Sequence, residues 1–373
     1  MPKTHRRRNV LRRKRNRTSG RKVTTRQTKI NKTVKYTKGS GTSSTSTSGN
    51  KRSGRGSGSG SGSSGTSGSS GTSSNPTNNN ARKNQNVKKV PCAPRRKDLT
   101  DKTQLDKFTC YSKPSLLKMR DLWNLRHRDK PITTNDPKEI WHRLKEALSS
   151  ACEAESCWLN QEFIKNNLDN ELLDYTFAPK SPPKWKEDHT TWLNSLDIEK
   201  VMKQYEHTYP EFRFIGPTPI DFDKRISDNT CVWNELCNFD LVKFKNKKVT
   251  KIGIIFNTDP HTKGGAHWIA MFINITAGFI FFFDSNGFEE TKEIKKFVDR
   301  ILTQAAKMNP PLKLDFINNK SFRHQEGNTE CGMYSLFFII SLLTETKKYS
   351  FFKTTKITDK DMEHLRDVYY NSV

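Results

Sequence analysis

The apolar run over residues 333–343 constrains the fold more than any other stretch of this chain. A helix that is hydrophobic on every side packs in the middle of a core. The polar segment 325–332 comes directly before it and places Cys331 where the helix begins. Unpaired backbone N–H groups and the helix dipole favour an anion there, and the thiolate is the nucleophilic form of cysteine. We therefore predict that Cys331 is a catalytic nucleophile.

Positive charge is concentrated in the first 97 residues, which contain no acidic residue. Of the 66 Lys and Arg residues, 26 lie in this segment, and the other 40 nearly balance the 39 acidic residues. The segment has little apolar material and is rich in Ser and Gly over residues 39–80, so it predicts a disordered basic arm and a flexible linker. Such an arm is expected to bind nucleic acid through phosphate contacts, although a solvated tail with no partner is the alternative.

The seven cysteines do not form a recognisable metal pattern, since no CxxC pairs with a second CxxC or with HxxxH. A disulfide scaffold is not expected at this length and spacing, and a reducing, intracellular setting fits best. We predict no metal and no cofactor. The chain begins without an apolar signal-peptide core and has no run of about 18 apolar residues, so no membrane span is predicted either.

The folded part of the chain is predicted to be α+β, with a short, mostly antiparallel sheet packed by helices. Three-to-four spacing of apolar residues predicts helices between residues 98 and 165. Three apolar strands are predicted over residues 251–257, 266–274 and 279–284, and their uniform hydrophobicity indicates that both faces of the sheet are covered. A helix over 289–308, a strand over 312–317 and a last helix over 358–370 complete the prediction.

Three polar residues lie at or near the ends of these elements, where they could act together with a thiolate at Cys331. His267 opens one strand and Asp284 ends the next, so a hairpin would bring the two to one edge of the sheet. Gln325 lies six residues before Cys331 and is a candidate donor to an oxyanion. Each residue alone has a structural explanation.

Other residues compete for these roles. His261 and His324 are alternative bases, and the turn-forming sequence at Asp284 needs no catalytic explanation. A cysteine on an apolar helix is commonly a small buried hydrophobe. The joint placement of the polar residues is therefore more informative than any one of them.

The order His267-Trp268, Asp284-Ser285-x-Gly287 and Gln325-x5-Cys331-Gly332 resembles the signature of the Ulp/adenain class of cysteine proteases. This class includes SUMO-deconjugating enzymes, the adenovirus protease and proteases of large DNA viruses, and the stretches over 157–164, 192–205 and 214–222 resemble the viral branch. The resemblance spans about residues 150–345 and implies a papain-like fold in circularly permuted order.

The resemblance also implies a role for each matched residue. Cys331 would be the nucleophile, His267 the general base, and Asp284 the group that orients His267. Gln325 and the Cys331 backbone N–H would form the oxyanion hole, and Trp268 would wall a narrow cleft suited to cleavage after Gly-Gly. The implied domains are a tail and linker (1–97), a helical extension (98–150) and a protease domain (151–373).

The predicted function is a viral cysteine endopeptidase that processes structural precursor proteins during virion maturation. Its partners would be a protein substrate and, through the tail, nucleic acid, with no membrane. Its location would be the virion and infected-cell cytoplasm, or alternatively the nucleus, since the basic clusters resemble import signals. Alternatives are a deconjugating protease for a ubiquitin-like modifier, an acyltransferase with the same triad, and a non-enzymatic DNA-binding virion protein.

Overall fold

The computed structural model describes residues 89–96, 104–167 and 170–372. The predicted disordered arm and its linker, residues 1–88, lie outside the described residues. The helices are α1 (Lys113–Arg126), α2 (Pro137–Leu148), α3 (Glu162–Lys165), α4 (Asn170–Tyr175), α5 (Ser195–Thr208), α6 (Asn234–Cys237), α7 (Leu241–Asn246), α8 (Lys292–Ala306), α9 (Cys331–Leu343), α10 (Phe351–Thr354) and α11 (Asp359–Tyr369). The strands are β1 (Phe212–Pro219), β2 (Arg225–Ser227), β3 (Thr230–Cys231), β4 (Lys251–Asn257), β5 (Trp268–Asn274), β6 (Phe279–Phe283) and β7 (Asp315–Asn318).

A five-stranded sheet in the order β1-β4-β5-β6-β7 forms the centre of the fold. Strands β4, β5 and β6 pair antiparallel as predicted, but β1 pairs parallel with β4, and β7 pairs parallel with β6. The prediction of a mostly antiparallel sheet is therefore wrong, and the sheet is mixed. A parallel pair needs a crossover connection, and α8 provides one between β6 and β7.

Alternate side chains of the central strands enter two separate cores, as the predicted covering of both faces requires. On β6, Phe281 and Phe283 face the core that contains α5, α9 and α11, whereas Phe282 faces the core that contains α8. Every residue of α9 except Phe337 is buried. The predicted central helix is confirmed.

A third hydrophobic cluster is formed by the N-terminal helices and extends from Val90 to Phe177. Val90 is 2% exposed, and the Ala93 N–H donates to the Thr176 carbonyl at 3.1 Å. The packing therefore differs from the predicted boundaries after residues 97 and 150. Residues 89–96 pack with the folded chain, and the helical cluster continues well past residue 150.

Six of the seven cysteines form three disulfides, which contradicts the prediction from their spacing. The pairs are Cys92–Cys110, Cys152–Cys157 and Cys231–Cys237, with Cα–Cα distances of 5.2, 5.5 and 6.3 Å. Pairing requires proximity in the fold, which spacing alone does not show. The inference of a reducing environment loses the support it drew from the cysteines. Among the described residues, no helix is long and apolar enough to cross a membrane.

Candidate active site

Helix α9 begins at Cys331, the predicted nucleophile. This residue is 1% exposed, and it is the free cysteine that remains after the three disulfides have formed. The first hydrogen bond of the helix runs from the Tyr334 N–H to the Glu330 carbonyl at 2.9 Å. The backbone N–H groups of the preceding turn therefore have no acceptor within the helix, and they favour negative charge beside the sulfur.

Strands β5 and β6 bring His267 and Asp284 together. His267 precedes β5 and Asp284 follows β6, and the antiparallel register sets Ala270 opposite Phe283. His267 Nε2 lies 2.8 Å from Asp284 Oδ1. The predicted meeting of these two side chains at one sheet edge is confirmed, and Asp284 itself is buried.

The side chain of Cys331 also interacts with the His267 ring, since it contributes to the raised pKa of that histidine. Since Nε2 faces Asp284, Nδ1 is the ring nitrogen that remains for the sulfur. Burial by itself lowers the pKa of His267, but the hydrogen bonds and charges of Asp284 and Cys331 raise it to about 9. The imidazole therefore holds its proton at neutral pH while it contacts both partners.

The loop that leads to His267 is fixed by the side chain of Asn257. Its Oδ1 accepts hydrogen bonds from the backbone N–H groups of Asp259 at 2.9 Å and Ala266 at 3.1 Å. Gly265 has φ +98°, and a Cβ on it would lie 2.8 Å from Asn257 Nδ2. Glycine is needed here both for the backbone conformation and for the close approach of the amide.

Gln325 is buried in the loop before α9, six residues from the sulfur in sequence. Its Nε2 donates to the Gly327 carbonyl at 3.0 Å, and its Oε1 accepts from the Ser285 hydroxyl at 2.7 Å. An amide nitrogen carries two N–H groups, so one remains for another acceptor. This is the chemistry expected of an oxyanion donor.

Trp268, the first residue of β5, forms a wall beside the start of α9. Its indole N–H donates to the Leu193 carbonyl at 2.9 Å. A Cβ on Gly332 would lie 3.1 Å from Leu193 Cβ and 3.3 Å from Trp268 Cδ1, so these three residues are closely packed. Next to Leu193, Trp192 is 41% exposed and adds aromatic surface at the same place.

Two buried side chains whose roles the sequence analysis missed hold the backbone of Asp284 and the side-chain amide of Gln325. Asn319 accepts from the Asp284 N–H at 3.0 Å and donates to the Asp284 carbonyl at 2.8 Å. Ser285 contacts Gln325 through its hydroxyl. Ser285 stands in the motif Asp284-Ser285-x-Gly287, which could have indicated a role for it, whereas Asn319 carries no sequence signal because its partner is close only in the fold.

A buried ion pair lies directly before the nucleophile. Arg366 on α11 donates to both carboxylate oxygens of Glu330, at 3.0 and 2.7 Å, and neither side chain is more than 1% exposed. Arg366 also donates to the Thr191 carbonyl at 2.9 Å. Burial raises the pKa of Glu330, and the contact with Arg366 opposes that rise. The arginine thus connects the start of α9 with the segment that leads to Trp192.

The alternative bases have structural roles. His324 is fully buried, its Nε2 donates to the Phe352 carbonyl at 2.9 Å, and its Nδ1 accepts from the Ile357 N–H at 3.3 Å. Burial lowers the pKa of His324, which fits a neutral ring in that position. His261 is bound to Asp221 at 2.6 Å.

No group of three or more His, Cys, Asp or Glu side chains is arranged to hold a metal ion in the part of the chain that the structure describes.

A family model described as the Ulp1 protease family, C-terminal catalytic domain, matches residues 199–373, which include the four predicted catalytic residues. The chain is 30% identical over 242 residues to a protein of Acanthamoeba polyphaga mimivirus named as a thiol protease, a match that covers 64% of this chain and 76% of the mimivirus protein. It is 25% identical over 253 residues to an African swine fever virus protein named as a SUMO-1 cysteine protease, covering 65% of this chain and 92% of that protein.

The fold is similar to the crystal structure of an African swine fever virus protease. The TM-score is 0.54 at 22% identity, and the match covers 76% of this chain and 96% of that chain. The two proteins share a mixed α+β architecture around a central sheet.

Proposed function

Because the chain belongs to the Ulp1 protease family and is a cysteine protease, we propose that it is a viral endopeptidase that cuts structural precursor proteins after Gly-Gly during virion maturation. The observation that carries the proposal is the position of His267, which hydrogen-bonds Asp284 and whose pKa is raised by both Asp284 and Cys331. A thiolate nucleophile, a base and an orienting carboxylate are the groups that acyl transfer requires. The chain order His267, Asp284, Cys331 supports the proposal of a papain-like site in circularly permuted order.

In the proposed reaction, His267 already holds the proton of Cys331, and the thiolate sulfur bonds to the carbonyl carbon of the scissile peptide. The carbonyl π electrons move to oxygen, and the oxyanion accepts hydrogen bonds from the Cys331 N–H and the Gln325 amide. His267 then protonates the leaving amine as the C–N bond breaks. Water attacks the resulting thioester and gives a proton to His267, and the C–S bond then breaks to release the acid product and restore the Cys331 thiolate beside protonated His267.

The preference for Gly-Gly is supported by the packing beside the nucleophile. Gly332, Leu193 and Trp268 leave little space at the start of α9, and the Trp268 ring is fixed by its hydrogen bond to Leu193. A cleft with such walls favours an extended substrate without side chains next to the scissile bond. Preference for small residues would then come from steric exclusion.

The test compares the full-length protein with the Cys331→Ala and His267→Ala variants on peptides that contain Gly-Gly, with matched Ala-Ala peptides. We expect cleavage after Gly-Gly by the unmodified protein alone, because both variants lack a member of the thiol–imidazole pair. His364→Ala is the matched control, since His364 is an exposed histidine on α11. Equal cleavage of the Ala-Ala peptides would contradict the specificity, and activity in Cys331→Ala would contradict the mechanism.

A second candidate function is removal of a ubiquitin-like modifier. It is favoured by the name of the African swine fever virus relative, a SUMO-1 cysteine protease. A ubiquitin-like protein linked to a target lysine distinguishes the two functions. Faster release of that modifier than cleavage of the unstructured peptides would favour the deconjugating enzyme.

We also propose that the acid-free arm binds nucleic acid and retains the protease in the virion and the infected-cell cytoplasm. The support is compositional, since 26 basic residues precede Asp98 without one acidic residue. Deletion should stop at residue 88, because Val90 and Ala93 belong to the packed chain. We expect the truncated protein to lose most of its salt-dependent DNA affinity and to hydrolyse peptides at an unchanged rate. Unchanged DNA affinity would contradict this role.

A further inference from the structure

The dipeptide Asp284-Ser285 contacts both halves of the candidate catalytic machinery. Asp284 binds His267, whereas Ser285 binds the loop that carries Gln325. The Ser285 carbonyl accepts hydrogen bonds from the His324 N–H at 2.8 Å and the Gln325 N–H at 2.9 Å. The Ser285 side chain adds a third contact to the same loop, through its hydroxyl, and the residue is only 2% exposed.

The hydrogen bonds around Gln325 determine which end of its amide faces which neighbour. The Gly327 carbonyl can only accept a hydrogen bond, so the amide nitrogen must face it at 3.0 Å. The amide oxygen then faces Ser285 at 2.7 Å, and the hydroxyl must be the donor in that contact. If the amide were rotated by half a turn, its oxygen would face the Gly327 carbonyl oxygen without a proton between them. The two contacts therefore select a single orientation.

We propose that Ser285 is a positioning residue for the oxyanion hole, which keeps the Gln325 amide turned so that an N–H is available to the reacting carbonyl oxygen. This inference rests on the proposed role of Gln325 as an oxyanion donor. A donor in an oxyanion hole is effective because it is fixed before charge develops on the substrate oxygen. With the wrong end of the amide turned to the site, a lone pair would face the oxyanion and repel it.

The experiment is a double-mutant cycle with Ser285→Ala, Gln325→Ala and the combined variant, measured by peptide hydrolysis. Loss of one oxyanion donor lowers kcat by about 100- to 1000-fold. Loss of one fixing hydrogen bond is worth about 1 kcal/mol, so we expect Ser285→Ala to lower kcat by roughly 5- to 10-fold with little change in KM. In the Gln325→Ala background, Ser285→Ala should have no further effect, because there is no amide left to position.

Two further measurements distinguish a loss of Gln325 positioning in Ser285→Ala from a general disruption of the site. A peptide aldehyde forms a tetrahedral adduct whose oxygen occupies the oxyanion hole, so Ser285→Ala should weaken its binding as much as it lowers kcat. Iodoacetamide alkylates sulfur without forming an oxyanion, so the alkylation rate of Cys331 should be unchanged. Ser285→Thr, which keeps the hydroxyl, should restore most of the activity. Ser341→Ala is the matched control, because Ser341 is a buried serine near the other end of α9.

The outcomes distinguish the positioning role of Ser285 from the oxyanion role of Gln325. Unchanged kcat in Ser285→Ala, or an equal loss in the Gln325→Ala background, would overturn the positioning role and leave that of Gln325 intact. Slower alkylation would also overturn it, because Ser285 would then act on the thiol–imidazole pair. Full activity of Gln325→Ala would overturn the oxyanion role of Gln325 and, with it, this inference.

Discussion

At the scale of single residues, two neighbouring side chains, Asp284 and Cys331, both favour the protonated form of His267. Burial opposes that form, but Asp284 and Cys331 outweigh it and raise the pKa of His267 to about 9. Its ordinary value is about 6.5. The protonated imidazole is thus part of the resting site at neutral pH, which suits the proposed role of His267 as the group that protonates a leaving amine.

We predict that kcat/KM falls as the pH rises through about 9, because His267 then loses the proton that stabilises the thiolate. In Asp284→Asn the loss of a negative charge removes a cause of the raised pKa, so the alkaline limb should move to lower pH by about 1–3 units. Rates of peptide hydrolysis from pH 5 to 10 measure both profiles. An alkaline limb at the same pH in Asp284→Asn would contradict the assignment.

The proton on His267 also contributes to folding stability, and the raised pKa determines how this contribution changes with pH. A histidine whose pKa is raised in the folded state binds its proton more tightly there than in the unfolded chain. Its stabilising contribution is therefore fully present below about pH 6.5 and is lost as the pH rises through about 9. The dependence of unfolding free energy on pH should be weaker in His267→Ala over this interval.

Single residues also show what could be predicted from the sequence and what could not. The proximity of His267 and Asp284 followed from two adjacent apolar strands and a short turn, which are local features. The roles of Asn319 and Ser285 were not predicted because each binds a group at least 35 positions away, although Ser285 stands in the quoted motif Asp284-Ser285-x-Gly287. The partners of a polar side chain are set by the fold as a whole.

At the scale of elements, the accuracy of prediction depended on how local each element is. The central strands and α9 were predicted because their hydrophobicity is continuous and specifies burial on its own. β1 pairs parallel with β4, and β7 pairs parallel with β6. Such pairing depends on crossover connections, which residue patterns within a strand do not specify. The order and direction of the edge strands were therefore beyond the sequence argument.

The ion pair between α11 and the start of α9 gives a prediction about stability. In Arg366→Ala the Glu330 carboxylate is left buried without a charged partner, so we expect the free energy of unfolding to fall by about 3–5 kcal/mol. Urea denaturation measures the loss. The matched control is Arg143→Ala, which removes an exposed pair with Glu139 on α2 and should cost no more than about 1 kcal/mol.

A double replacement separates the ion pair from ordinary packing. When Glu330 and Arg366 are both replaced by Met, no unpaired charge remains, so most of the stability should return. A loss in the double variant equal to that of Arg366→Ala would mean that the contacts of Arg366 with the Thr190 and Thr191 carbonyls are the important ones. A loss below 1 kcal/mol in Arg366→Ala would contradict the prediction.

At the scale of the whole molecule, the three disulfides change what the cysteine pattern means. Their partners are 18, 5 and 6 residues apart, and two of the three pairs lie in the N-terminal part that forms its own hydrophobic cluster. Cys92 links the segment 89–96 to Cys110, which precedes α1. The spacing of Cys92 and Cys110 in the sequence does not predict their disulfide, because the contact depends on how the segment 89–96 packs against the helices.

A count of reactive thiols tests this arrangement directly. We predict that the protein, purified without reductant and unfolded in guanidinium with an alkylating agent present, takes up one label, at Cys331, and seven labels after reduction. Closure of a loop of about 15 residues is worth about 3 kcal/mol, so Cys92→Ser/Cys110→Ser should lower the stability of the N-terminal cluster by up to that amount. Peptide mass spectrometry locates the labels, and proteolysis under native conditions reports the loosening. Seven labels without reduction would show that the cysteines are thiols and that packing alone holds residues 89–96 in place.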